Sequence, residues 1–512
     1  MSLSIASSEK VHFPSPSGEE GIASRCWIKA RKEAALALYN PFIVSMASGG
    51  LELDAFRRYV AQDVHFLRSF VEAFRMAEDC ADDDDAKVGI SELQKSIHSE
   101  LGMHDSLMQQ WGIDLIEESS PNPATVKYTD FLLATASGKI DGIKAPGILA
   151  TPFEKTKVAA YTLGAVTPCM RLYAFLGKEL HAVCDTLKLN SIHPYQKWID
   201  NYSSDSFQAE TLKTEDMLEK LSVSLTGEEL DIIEKLYHQA MKHEINFFQA
   251  QPLEQKIIVP LFKGSNRAEQ CLMLFSDFDL TCSIVDSSAI LAEIAIRSAP
   301  KIEQSQSSNE LARVSSADLR SLRQALEQLS DFEKRANGRV IQSEVLKGLN
   351  VDDVKRAGER LLLQDGCADF FLSVSVGLEL INVHANEFVY NDSLSTGDII
   401  KKVESPIDKI EILGKIMENC RNDQQTLTVY IGDSVSDLLC LLEADIGIVI
   451  GSSASLRKVA NHFGISFVPL FEGVVKKQKQ LDEENSGEWK GLSGVLYTVS
   501  SWAEIHAFIL GS

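Results

Sequence analysis

The sequence contains no apolar run near the length of a membrane span, no C-x-x-C pair, and far fewer basic than acidic residues. Each shortage excludes something. A helix needs about twenty consecutive apolar residues to cross a bilayer, so no membrane partner is expected. Nine cysteines, an odd number and scattered, suit a reducing compartment better than a disulfide framework. Fifty lysines and arginines stand against 73 acidic residues, and the net charge of −23 argues against nucleic acid or an anionic surface as a partner. The first residues lack both the apolar core of a secretory signal and the arginines of a transit peptide. The cytoplasm is the expected location, a mitochondrial form requiring a longer precursor. The histidines of the N-terminal half form no H-x-x-x-H set with a third ligand, so zinc is not expected either.

What is present is a 512-residue chain, 45% hydrophobic and 24% charged, which fits two or more globular domains. From Ile22 to about Gln251 apolar residues recur at helix spacing, as in Phe56, Tyr59, Val60, Phe66, Leu67 and Phe70, and β-rich runs are absent. This half is expected to be an all-α bundle. After Pro252, short apolar runs at Leu272–Phe275, Phe370–Val374, Leu427–Ile431 and Ile446–Ile450 alternate with helical stretches, a pattern of parallel strands with crossover helices. The expected multidomain organisation is an N-terminal extension over 1–21, a helical domain over 22–255, and an α/β domain over 265–512. The change of texture falls within Gln251–Ser265, and the charged, helical residues at about 284–368 predict a cap inserted after the first strand.

The first strand-like run ends in Asp277-Phe278-Asp279-Leu280-Thr281. On a continuing strand, alternate residues share a side, so Asp277 and Asp279 would reach one pocket at the carboxyl edge, where open α/β sheets bind ligands. Two such acids repel one another unless a cation or a shared proton intervenes. Gly432-Asp433-Ser434-Val435-Ser436-Asp437 offers further carboxylates for that cation. The pattern points to phosphoryl transfer assisted by Mg²⁺.

Over roughly 270–510 these motifs resemble the phosphatases of the haloacid dehalogenase superfamily, which implies a Rossmann-like fold with a cap. The resemblance implies that Asp277 attacks phosphorus and that Asp279 protonates the leaving oxygen and then activates water. Ser373, or Ser375 two residues on, matches the strand-end hydroxyl that binds a phosphate oxygen. Lys409 fits the lysine that neutralises the phosphoryl group, with Lys401 and Lys402 as competitors. Asp277, Asp279, Asp433 and Asp437 make up the implied Mg²⁺ site.

In the helical half, Cys169 follows Pro168 inside an apolar helix, where a missing N–H disturbs the backbone ladder. A thiol there is ordinarily a small core residue. Residues 22–250 nonetheless resemble the TenA (thiaminase II) family at several separated places. These are Tyr59-Val60-Ala61-Gln62-Asp63, Pro168-Cys169 with Tyr173, the segment from His193 to Tyr202, and Glu244-Ile245-Asn246-Phe247-Phe248. The resemblance implies Cys169 as nucleophile, Glu244 as acid and base, and Asp63, Tyr128, Tyr173 and Tyr202 as residues around an aminopyrimidine. Phe66 stands where that family commonly has tyrosine. Self-association into a homo-oligomer through the helical domain is also implied. In their joint order the two domains resemble bifunctional thiamin-salvage enzymes of plants. That likeness implies thiamin monophosphate and 4-amino-5-aminomethyl-2-methylpyrimidine as small-molecule substrates, the second converted to the hydroxymethylpyrimidine.

Overall fold

The computed structural model describes residues 21–110, 120–140, 152–189, 193–264, 270–286, 319–377, 382–420, 425–484, 489, 491 and 493–511. The expected N-terminal extension, Gly21 apart, and positions 287–318 of the expected cap lie outside the described residues. The chain divides into two compact units, Met1–Ile257 and Ile258–Ser512.

Among its described residues the first unit is built of helices without strands: α1 (Ile22–Lys29), α2 (Arg31–Leu38), α3 (Pro41–Ser48), α4 (Leu53–Cys80), α5 (Asp84–Gln110), α6 (Pro123–Ala136), α7 (Pro152–Thr186), α8 (Gln196–Ser203), α9 (Asp205–Ser222) and α10 (Gly227–Gln249). The buried stripe of α4 runs Phe56, Tyr59, Val60, Asp63, Phe66, Leu67 and Phe70, the three- and four-residue spacing of one helix face. Asp63 is thus carried into the bundle by the same periodicity that buries its apolar neighbours. Helix α7 continues through Pro168, where the hydroxyl of Thr167 donates to the Leu163 carbonyl at 2.6 Å. Helix α10 is started by a capping box in which Thr226 and Glu229 satisfy each other's backbone N–H groups.

The second unit is built on a five-stranded parallel sheet in the order β1-β4-β5-β7-β6. Its strands are β1 (Gln270–Ser276), β4 (Gln425–Gly432), β5 (Ile446–Ile450), β6 (Ser466–Pro469) and β7 (Val495–Val499). A separate antiparallel hairpin joins β2 (Glu387–Asn391) to β3 (Leu394–Ile400). The helices of this unit are α11 (Leu261–Gly264), α12 (Leu319–Gln342), α13 (Val351–Glu359), α14 (Cys367–Gly377), α15 (Pro406–Cys420), α16 (Leu438–Glu443), α17 (Ala454–His462), α18 (Leu470–Glu484) and α19 (Trp502–Ile509). Strand β5 is buried at every position, as a parallel strand covered on both faces must be. None of the helices is long and apolar enough to cross a membrane, among the described residues.

One expected strand is corrected. Phe370–Val374 lies in helix α14, which buries Cys367, Phe370 and Val374 at helical spacing and leaves Leu372 67% exposed. A five-residue apolar run is compatible with either element, and here the helical period decides. Hairpin β2–β3 and strands β6 and β7 were not anticipated from the sequence.

Candidate active sites

Strands β1 and β4 are parallel neighbours in the register Ser276↔Ile431, so both carboxyl ends finish at the same level of the sheet. The backbone N–H of Asp277 donates to the Ile431 carbonyl at 2.9 Å, extending the ladder by one residue. Asp277 follows β1, and Asp433 and Asp437 follow β4 in a turn closed by a 3₁₀ segment, Val435–Asp437. One carboxylate oxygen from each of Asp277, Asp433 and Asp437 lies within 4.8 Å of the others. Gly432 makes the approach possible: a Cβ there would stand 2.7 Å from Cβ and Cγ of Asp437.

Lys409, in the first turn of α15, ties the acids together. Its Nζ donates to Asp277 Oδ1 at 2.9 Å and to Asp437 Oδ1 at 2.8 Å. Asp437 is fully buried and also accepts from the hydroxyls of Tyr430 at 3.1 Å and Ser434 at 2.7 Å. Burial, reinforced by the Asp437 charge and offset by Lys409, pushes the Asp277 carboxyl up to about 6. Burial likewise raises Asp433, which accepts the Thr281 hydroxyl at 2.9 Å. Burial works against the Lys409 ammonium, but the carboxylates of Asp437 and Asp277 outweigh it and raise that pKa. Raised carboxyls at Asp277 and Asp433, with carboxylate oxygens of three residues converging on one point, fit a hard divalent cation.

Two assignments change. Asp279 is not one of the three clustered carboxylates, because β1 ends at Ser276 and the alternation that would have aligned it with Asp277 does not continue. Leu280 then turns the backbone with φ +58°. Ser373 and its rival Ser375 lie exposed on α14, their hydroxyls donating to the Asp369 and Leu372 carbonyls of their own helix. The strand-end geometry that recommended either is therefore absent. Among the competing lysines, Lys401 pairs with Glu404 and Lys402 with Glu387, while Lys409 enters the cluster.

In the helical unit the six residues singled out from the sequence are all buried. Glu244, 1% exposed on α10, accepts the Tyr128 hydroxyl at 2.8 Å and is hydrogen-bonded to Cys169 of α7. Burial pushes its carboxyl up to about 7, against the two hydrogen bonds that lower it. Tyr173 lies on α7 one turn beyond Cys169 and receives the hydroxyl of Tyr59 at 3.0 Å. Its ring lies 4.9 Å from that of Tyr202. Burial raises the Tyr173 phenol, helped by the charges of Tyr59, Asp63, Glu244 and Cys169, which places all four within electrostatic reach of it. Phe66 packs against Tyr128 with ring centres 4.6 Å apart, a contact that needs no hydroxyl.

Two contributors were missed although they lie in a quoted motif. Tyr59 shares a face of α4 with Asp63 four residues on, a spacing that was available as a signal. Gln62 anchors the start of α6: its Oε1 accepts from the Asn122 N–H and the Thr125 hydroxyl, both at 2.8 Å, and so fixes the helix that presents Tyr128. No residue-level signal in one sequence predicts that partner.

The TENA/THI-4/PQQC family matches residues 30–140 and 153–253. The chain is 56% identical to the bifunctional TH2 protein, mitochondrial, of Arabidopsis thaliana, an alignment covering 99% of this chain and 92% of that one. It is 25% identical to an aminopyrimidine aminohydrolase of Staphylococcus aureus over 42% of this chain and 87% of that one. A solved phosphoserine phosphatase with a phospho-aspartyl intermediate analogue matches 38% of this chain and 91% of its own at 20% identity, with a TM-score of 0.26.

Proposed function

The chain belongs to the family of bifunctional TH2 proteins and carries a TENA/THI-4/PQQC domain in its N-terminal half, and on that premise we propose that it is a bifunctional hydrolase of thiamin metabolism. One half releases phosphate from thiamin monophosphate. The other converts 4-amino-5-aminomethyl-2-methylpyrimidine to the hydroxymethylpyrimidine. Each half joins a nucleophile to a group able to manage its charge or proton, and that pairing carries the reading: half-buried Asp277 with Lys409, and buried Cys169 with Glu244.

In the phosphatase, Asp277, Asp433 and Asp437 would hold Mg²⁺, which when bound supplies charge neutralisation at the phosphoryl oxygens. Lys409 orients the Asp277 carboxylate and offsets the charge of the incoming phosphate. Asp277 attacks phosphorus and displaces the alcohol oxygen, which takes its proton from Asp279. Asp279, now ionised, accepts a proton from the water that cleaves the aspartyl-phosphate, so one phosphomonoester and one water yield alcohol and phosphate.

In the helical domain, protonated Glu244 donates to a ring nitrogen and makes the pyrimidine electrophilic. The Cys169 thiolate adds to the ring, the 5-methylene group expels its amine as ammonia, and water adds in its place before the thiolate leaves. Asp63, Tyr128, Tyr173 and Tyr202 surround the ring and orient it. The domain limits we assign are 22–255 and 265–512, with a cap at about 284–368. Homo-oligomers form through the helical domain, and the protein acts in the cytoplasm, or in mitochondria when a leader precedes it.

The test compares kcat/KM across phosphomonoesters, with and without EDTA, and measures ammonia release from the aminopyrimidine. Thiamin monophosphate should be the preferred ester, its turnover should vanish with chelation, and ammonia release should persist. A nucleotide or sugar phosphate turned over a hundredfold faster, or a metal-independent phosphatase, would overturn the assignment.

A further inference from the structure

The loop that follows β1 is held from behind at four of its carbonyls. Asp277 O accepts the Cys282 thiol at 3.2 Å, and Phe278 O accepts the Cys282 N–H at 2.9 Å. Leu280 O accepts the side-chain amide of Gln364, and Thr281 O accepts the indole N–H of Trp502 at 2.9 Å. The backbone of Gln364 in turn donates to Cys282 O at 2.7 Å. Such bracing has a visible reason: Leu280 occupies the left-handed region at φ +58°, which a bulky L-residue adopts only where its surroundings impose it.

Thr281 is the residue that matters most in this loop. It is fully buried, and its hydroxyl donates to Asp433 Oδ1 at 2.9 Å while its carbonyl receives Trp502. Trp502 is itself fully buried at the start of α19, its ring 5.3 and 5.5 Å from those of Phe370 and Phe371 on α14. From the sequence it reads as a packing residue, and it belongs to none of the quoted motifs. A buried tryptophan ordinarily finds an acceptor for its N–H. Here that acceptor is the backbone of Thr281, whose hydroxyl links the nucleophile loop to Asp433. We infer that Trp502 is a positioning residue for the phosphoryl-transfer site. Its N–H fixes Thr281, and Thr281 fixes the Asp433 carboxylate for the divalent cation. This rests on the phosphatase reading of the same site.

Trp502→Phe would remove packing together with the hydrogen bond, so the decisive variant places 3-benzothienylalanine at position 502 of the full chain, keeping the ring shape without the N–H. Free Mn²⁺ is titrated by electron paramagnetic resonance, alongside thermal unfolding and phosphate release. The isostere should weaken Mn²⁺ binding about fivefold, the factor set by one hydrogen bond of ordinary net strength. Phosphate release should fall in step, the unfolding temperature staying within about two degrees. In a Thr281→Val background the isostere should cause no further loss of Mn²⁺ affinity. Unchanged Mn²⁺ affinity, or an equal loss persisting in Thr281→Val, overturns the positioning role alone. Failure of the unmodified protein to bind Mn²⁺ overturns the phosphatase reading beneath it.

Discussion

The Nζ of Lys409 lies 2.9 Å from Oδ1 of Asp277, a contact that spans 132 residues of chain and closes the carboxyl edge of the sheet. Because both groups are largely buried and Lys409 also meets Asp437, the ammonium is the charge that allows these acids to stand together. Lys409→Met should reduce kcat for phosphate release by roughly a hundred- to a thousandfold, as expected for a lost electrostatic clamp. Steady-state phosphate assays check this, and aminopyrimidine hydrolysis by the same preparation should be unchanged.

Glu244→Gln should separate stability from activity in the helical domain. The carboxyl of Glu244 is raised from about 4.5 to about 7 by burial, so the native state holds a proton that the unfolded chain releases between those values. Its stabilising contribution is full below about pH 4.5 and is lost as pH rises through about 7. A neutral glutamine should abolish ammonia release yet stabilise the domain by about 1–3 kcal/mol at pH 8, with little gain at pH 5. Denaturant melts of both proteins at the two pH values measure this.

Tyr128→Phe removes the hydrogen bond that lowers the Glu244 pKa. Since Glu244 acts first as an acid, the alkaline limb of the aminopyrimidine pH–rate profile reports its ionisation. That limb, expected near pH 7 in the natural protein, should move to higher pH in the variant while the maximum rate falls. A limb that stays in place would separate Tyr128 from Glu244.

Gly432→Ala places a Cβ 2.7 Å from Cβ and Cγ of the buried Asp437 and 2.9 Å from its Oδ2. Something must shift, and overpacking of this kind costs about 1–3 kcal/mol. The magnesium concentration needed for half-maximal phosphate release should rise at least tenfold, read from a metal titration of activity.

Much of the candidate carboxylate cluster was legible because its residues sit at element ends. An apolar run stopping at Asp277, and Gly432-Asp433 after a second run, each mark a strand's carboxyl end, and parallel neighbours bring such ends together. Lys409 was legible for a similar reason, opening a helix behind Ser405 and Pro406. The strand expected to carry Ser373 failed because a short apolar run does not declare its period, and α14 buries Cys367, Phe370 and Val374 instead of pairing as a strand. Asp279 falls outside the three clustered carboxylates because its alignment with Asp277 assumed a strand that ends three residues earlier. The helical site was legible through motifs resembling a known family and through the four-residue spacing of Tyr59 and Asp63, whereas Gln62 and Trp502 act through partners more than fifty residues away, which no local pattern encodes. Strands β6 and β7 were missed as short segments of four and five residues.

Two chemically independent hydrolytic sites in one chain are the core of the proposed function. Assaying phosphate release and ammonia release on the same folded preparations of Asp277→Asn and Cys169→Ser tests it most directly. The first variant should lose phosphate release and keep ammonia release at the natural rate, and the second should do the reverse. Loss of both activities from either substitution, with the fold intact, would contradict it.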